Sequence, residues 1–181
     1  MLWPFNRFRN PIQPQDTRRG TIEAIYGMIV AQAREPAFYA SLDVPDTVNG
    51  RFDMLLLHLW MVLRQLRTGG DSEAQGQALF DRFCADMDDN LREMGVGDLT
   101  VPKRMQEFGE AFYGRTAAYD TALAAGDHEL AAAIGRNILG GQHDASASRI
   151  AAYVREALAA LAPLRPDALL AAGWRFPAPR I

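Results

Sequence analysis

Cysteine is almost missing from this sequence. Cys84 stands alone, so no intrachain disulfide can form, which fits a reducing compartment. Histidine is scarce as well. His58, His128 and His143 are never four residues apart, and Cys84 has no Cys or His near it, so the spacing of a zinc site is lacking. The chain also lacks a strong charge of one sign: its formal net charge of −3 suggests neither nucleic acid nor an anionic membrane as a bulk partner. No uninterrupted apolar run approaches the ~20 residues of a membrane span. No apolar stretch followed by a small-residue cleavage site opens the chain, and a cytoplasmic location is the default expectation. Sustained polar–apolar alternation is absent, so no strands are expected, and no fixed-period repeat is visible.

What is present is apolar residue at helical spacing. The chain has 181 residues, 49% of them hydrophobic and 23% charged, enough for one domain to bury a core without metal or disulfide. Its most apolar stretch is Arg51 to Arg67. On a helix, Phe52, Leu55, Leu56, Leu59, Val62, Leu63 and Leu66 share one wide stripe. Met54, Leu57 and Met61, with His58 beside them, occupy the opposite side. A helix apolar on both sides is either central or offers its second side to something else.

Around that helix the punctuation predicts the rest. Pro4, Pro11 and Pro14 make residues 1–15 an irregular tail. Asp16 caps a helix to about Arg34, with Ile22, Ile25, Tyr26 and Ile29 on its stripe. Pro36 opens a short helix, and Asp43 to Gly50 is a loop. Ser72 to Met94 is amphipathic, and Gly95-Val96-Gly97 stops it. A helix from Pro102 to about Ala125 buries Met105, Phe108, Phe112 and Tyr119. Asp127 starts a shorter helix, Ser146 to Ala162 forms another, and a last helical turn carries Leu169 and Leu170. The expected fold is all-α, a single bundle-like domain of about seven helices over residues 16–174, with a second irregular tail at 175–181.

Chemistry is thin. Asp86, Asp88 and Asp89 point in different directions around their helix and cannot converge on a cation as hard-oxygen sites require. Eight acids against two arginines between Asp71 and Asp98 read as a solvated acidic face. His58 is either a hydrogen-bonded core histidine or part of a binding surface. Tyr113 and Asp120 project about 20° apart, off the neighbouring core stripe. They form either a partner surface or a local packing and pairing arrangement. In the tail, Trp3, Phe5 and Phe8 alternate with Arg7 and Arg9 and no acid precedes Asp16. Such a segment suits a lipid headgroup boundary; the plainer reading is a disordered end, or aromatics tucked onto the body.

Leu57-His58-Leu59-Trp60-Met61, Met94-Gly95-Val96, Phe112-Tyr113 with Tyr119-Asp120, Leu130-Ala131-Ala132-Ala133 with Arg136-Asn137, and Tyr153-Val154-Arg155 follow one another in order. This ordered set resembles the ubiquinol–cytochrome c chaperone family. The resemblance implies a helical, non-enzymatic protein without a cofactor that holds newly made cytochrome b until haem insertion and assembly of complex III proceed. It implies cytochrome b or other complex III assembly components as partners, and peripheral contact with the inner membrane. It marks His58, Trp60, Tyr113, Asp120, Arg136 and Asn137 as motif positions. Mitochondrial members work with a small partner protein and are described at the ribosome; a chain without a long targeting presequence fits a bacterial cytoplasmic member. Met54, Leu57 and Met61 are the expected adaptable client surface. The competing expectation is a small helical enzyme, or a binder of apolar ligands, using His58 and the acidic helix 72–94. Convergence of His58 with two carboxylates in a cleft would favour the enzyme.

Overall fold

The computed structural model describes residues 14–68, 72–141 and 144–180. Trp3, Phe5, Arg7, Phe8, Arg9 and His143 lie outside the described residues. Among the described residues eight helical segments follow one another: α1 (Pro14–Ala33), α2 (Pro36–Ser41), α3 (Val48–Thr68), α4 (Glu73–Glu93), α5 (Val101–Ala125), α6 (Asp127–Ile138), α7 (Asp144–Leu161) and α8 (Pro166–Leu170). Among the described residues there are no strands. The fold is the all-α single bundle expected. α1 begins at Pro14, two residues ahead of Asp16, because proline is at home in a first helical turn.

α3 is the axis of the bundle. α1, α4, α5, α6 and α7 all pack against it, and every residue from Asp53 to Leu63 is buried. Its second side is therefore not a free surface. Met54, Leu57, His58 and Met61 are fully buried, which corrects the expectation of an open methionine-lined face; the hydrophobic effect closes both stripes because helices are available to cover both.

Side-chain pairs fix the helix directions. Glu23 pairs with Arg82 and the Tyr26 hydroxyl donates to Asp86, so α1 and α4 run parallel. Phe52 packs on Phe108 near the start of α3, and Arg64 reaches Asp120 further along, so α3 and α5 run parallel. The starts of α3 and α5 thus meet the ends of α1 and α4 at one end of the bundle.

Two glycines do work that a side chain would prevent. At Gly50 a Cβ would lie 2.0 Å from the Pro45 carbonyl oxygen, so the loop can fold onto the first turn of α3 only without one. Gly95 sits at φ 78°, its N–H donating to the Arg92 carbonyl while the Val96 N–H reaches the Leu91 carbonyl. That is a Schellman cap, and it accounts for the glycine in Met94-Gly95-Val96.

The C-terminal segment after α8 is irregular yet held. Trp174 is buried and its indole N–H donates to the Leu169 carbonyl, Gln32 donates to the Pro177 carbonyl, and Arg180 pairs with Glu156. Phe176 stands edge-on to His58 at 5.1 Å between ring centres.

Candidate partner surface

His58 is the residue the sequence left most open, and its surroundings are those of a core histidine. Its Nδ1 lies 2.8 Å from the Met54 carbonyl oxygen and its Nε2 2.7 Å from the Tyr153 hydroxyl. A carbonyl can only accept, so Nδ1 carries the proton and Nε2 accepts from Tyr153. Burial pushes its pKa down to about 4, opposed in part by the bond to Met54. Phe38, Tyr153 and Phe176 surround the ring. Its hydrogen-bond partners are a carbonyl and a hydroxyl, with no carboxylate, which removes the acid–base arrangement that would have favoured an enzyme.

Two of the three aspartates singled out on the acidic helix are paired. Asp86 accepts from Tyr26 and faces Arg82, and Asp88 pairs with Arg92. Among the described residues no three Asp, Glu, His or Cys side chains gather into a metal-holding group.

Tyr113 and Trp60 line one cleft between α3, α4 and α5, and Asp120 bonds to Trp60. The cleft has a volume of about 450 Å³; Trp60, Leu63 and Leu66 of α3 line it with Phe80 of α4 and Phe112 and Tyr113 of α5. Tyr113 is 64% exposed, its ring 5.9 Å from Phe80 and 5.4 Å from Phe112. About two turns further along α5, Asp120 is a hub. Its Oδ1 accepts from the Trp60 indole at 3.0 Å and from Arg64 at 2.6 Å, and its Oδ2 accepts from Arg67 at 3.0 Å. One carboxylate therefore binds α5 to α3 and fixes the Trp60 ring, which also packs on Tyr119 at 5.2 Å. Asp120 is thus taken up by pairing, with partners on α3 and none within its own helix; Tyr113, about two turns away along α5, is the member of the pair that faces outward.

Arg136 and Asn137 lie elsewhere. Arg136 lines a separate shallow groove with His128, Ala132 and Gly135, and Asn137 donates back to the Ala133 carbonyl within α6. Sequence reading missed several contributors to the cleft. Phe80 gives no sign in sequence of which helices it meets, and the hydroxyls of Ser72 and Thr116, both lining the cleft, are buried with no hydrogen-bond partner. An unpaired buried hydroxyl depends on tertiary neighbours and leaves no trace in local periodicity. The pair Asp53–Arg115 at 2.6 Å, which joins α3 to α5 nearby, was equally invisible.

Such a bundle, with His58 in the core and an exposed aromatic on a cleft, is an all-helical scaffold. The chain belongs to the ubiquinol-cytochrome C chaperone family, which matches it over residues 40–176. It is similar to ubiquinol-cytochrome-c reductase complex assembly factor 1 of Xenopus laevis, at 29% identity over 83% of this chain and 78% of that one. Against the human protein of the same name identity is 28%, over 83% of this chain and 52% of the relative, so the chain spans about half of that longer protein. A crystal structure of the Cbp3 homolog from Brucella abortus superposes with a TM-score of 0.82 at 36% identity, covering 91% of this chain and 92% of that one.

Proposed function

We propose that this protein is an assembly chaperone of the ubiquinol–cytochrome c reductase complex, binding newly made cytochrome b or another assembly component without catalysing a reaction. The observation that carries the reading is the family match over most of the helical domain, with relatives named as assembly factors of that complex. The cleft agrees in kind. Tyr113 is an exposed aromatic on a rigid helix, backed by Phe80 and Phe112, and tyrosine gives contact area at low entropy cost. Trp60 and Asp120 act behind it by holding α5 in place. In this reading Met54, Leu57, His58 and Met61 shape the scaffold and do not touch the client, and the protein needs neither metal nor cofactor.

The proposed location is the cytoplasmic side of the inner membrane. Trp3, Phe5 and Phe8 with Arg7 and Arg9 would supply peripheral contact, since no described helix is long and apolar enough to cross a membrane. Affinity purification from membranes tests the partner assignment. Wild-type protein should recover cytochrome b or a complex III assembly component, and Tyr113→Ala should remain folded and recover much less. Equal recovery by a folded Tyr113→Ala removes the surface from the account.

A further inference from the structure

Among the described residues, three of the four large hydrophobic side chains that stand exposed belong to one end of the bundle: Val48 at 69%, Met94 at 66% and Leu99 at 99%. The fourth is Tyr113. Val48 and Met94 line a cavity of about 290 Å³ formed where α1 and α4 end and α3 begins. Its floor is Ala33, Leu55, Met87 and Leu91, all buried, and the packed rings of Phe52 and Phe108 close one side. Leu99 lies on the turn that follows Met94, which the Arg92–Asp98 pair ties back to α4. The Schellman cap explains Gly95; it does not explain a methionine left in water just before it.

The rim is polar, and its charges are unequal in what they already do. Asp86 accepts from Tyr26 and faces Arg82. Arg51 is held by Asp46 at 2.7 Å and lies over the Tyr39 ring. Arg34, on the same rim, makes no side-chain hydrogen bond or ion pair among the described residues. An unpaired cation at the edge of an apolar opening is complementary to an acidic group presented beside apolar side chains.

We propose that this end of the bundle is a second docking surface, which takes an apolar helix of a client polypeptide flanked by an acidic residue. Large aliphatic side chains of the helix enter between Val48 and Met94, and the acid meets Arg34. The cavity is at the small end of the ~300–1,000 Å³ range of free-ligand sites, while Val48 and Met94, which line it, are themselves mostly exposed. A docked helix with one or two anchor side chains fits that shape, and a flexible methionine can repack around different anchors. The inference rests on the assembly-chaperone reading for the kind of client, an apolar polypeptide, and is independent of Tyr113.

Two fluorescein-labelled leucine–alanine helical peptides, one ending in aspartates and its twin ending in lysines, provide the test by fluorescence anisotropy with the full chain. Met94 and Arg34 are both exposed, so Met94→Glu and Arg34→Glu should fold as the parent does, which circular dichroism checks. The aspartate peptide should bind the parent more tightly than its twin. Met94→Glu should weaken binding by about tenfold or more, and Arg34→Glu should reverse the preference between the peptides. Unchanged peptide binding by Met94→Glu, or an unreversed preference in Arg34→Glu, overturns the proposal. So does a loss confined to phosphatidylglycerol vesicles, which would make the face a lipid contact, or a dimer dissolved by Met94→Glu, which would make it a self-interface. If cytochrome b is not recovered from membranes while the titrations behave as stated, only the client assignment fails. If cytochrome b is recovered and the titrations fail, only this groove does.

Discussion

His58 and Asp53, five residues apart on α3, are ionisable groups in the core whose burial acts with opposite signs. The His58 pKa falls from 6.5 to about 4 through desolvation, so between those values the unfolded chain takes up a proton that the folded chain refuses. Its contribution to stability is complete above pH 6.5 and is lost as the pH falls through that window, to a total of at most about 3 kcal/mol. Asp53 opposes this. Burial raises its carboxyl from 3.8 to about 6 although Arg115 pulls it down, so the folded state holds a proton there and loses stability as pH rises through the same range. His58→Gln should separate the two. In denaturant titrations from pH 6.5 down to about 4, the stability of the wild type should fall relative to the variant by up to about 3 kcal/mol; parallel pH profiles would show that His58 is not the group that titrates. Asp120 makes a simpler prediction. Asp120→Ala leaves the buried Trp60 indole N–H without its acceptor, and a cost of about 1–3 kcal/mol is expected, with little of it from the half-exposed arginine pairs. An unchanged midpoint would show that the hub is not a structural joint.

At the level of elements, the glycine at the start of α3 decides whether the loop before it can close. Gly50→Ala would press a methyl group into the Pro45 carbonyl, and since backbone must shift to relieve it, a loss of about 1–3 kcal/mol is expected. A thermal melt matching the parent would mean that the loop yields freely. Phe83 of α4 is buried against Phe52 and Phe112; Phe83→Ala should cost about 3–5 kcal/mol in the same measurement, and no change would place it outside the core. These elements were largely legible from sequence, because Pro36, Gly95, Pro102 and Gly126 punctuate the chain and the apolar stripes repeat at helical spacing. What could not be read was how many neighbours α3 has. Periodicity shows that Met54, Leu57 and Met61 share a side, but a side that faces a client and a side that faces another helix give the same pattern. The same limit hid the Asp120 hub, whose partners lie 53 to 60 residues away, and it hid the contact of Phe176 with His58.

Among the described residues the bundle encloses the middle of α3, from Asp53 to Leu63, and leaves large hydrophobic side chains outside at the Tyr113 cleft and at the end that carries Val48, Met94 and Leu99. A chaperone for an apolar polypeptide needs adaptable contact surface without exposing its own core, and burying α3 while placing aromatic and methionine side chains at helix surfaces and ends meets both needs. The ordered motifs that marked the family from sequence now divide by role. Tyr153 and His58 build the core, Gly95 caps α4, Trp60 and Asp120 join α3 to α5, and Tyr113 stands outward. The most direct test of the central claim is the amount of assembled complex III, read from cytochrome b absorbance and native gels, in cells lacking this protein. The account predicts that complex III and cytochrome b fall together and are restored by the wild-type chain but not by folded Tyr113→Ala. Normal complex III in cells without the protein would contradict it.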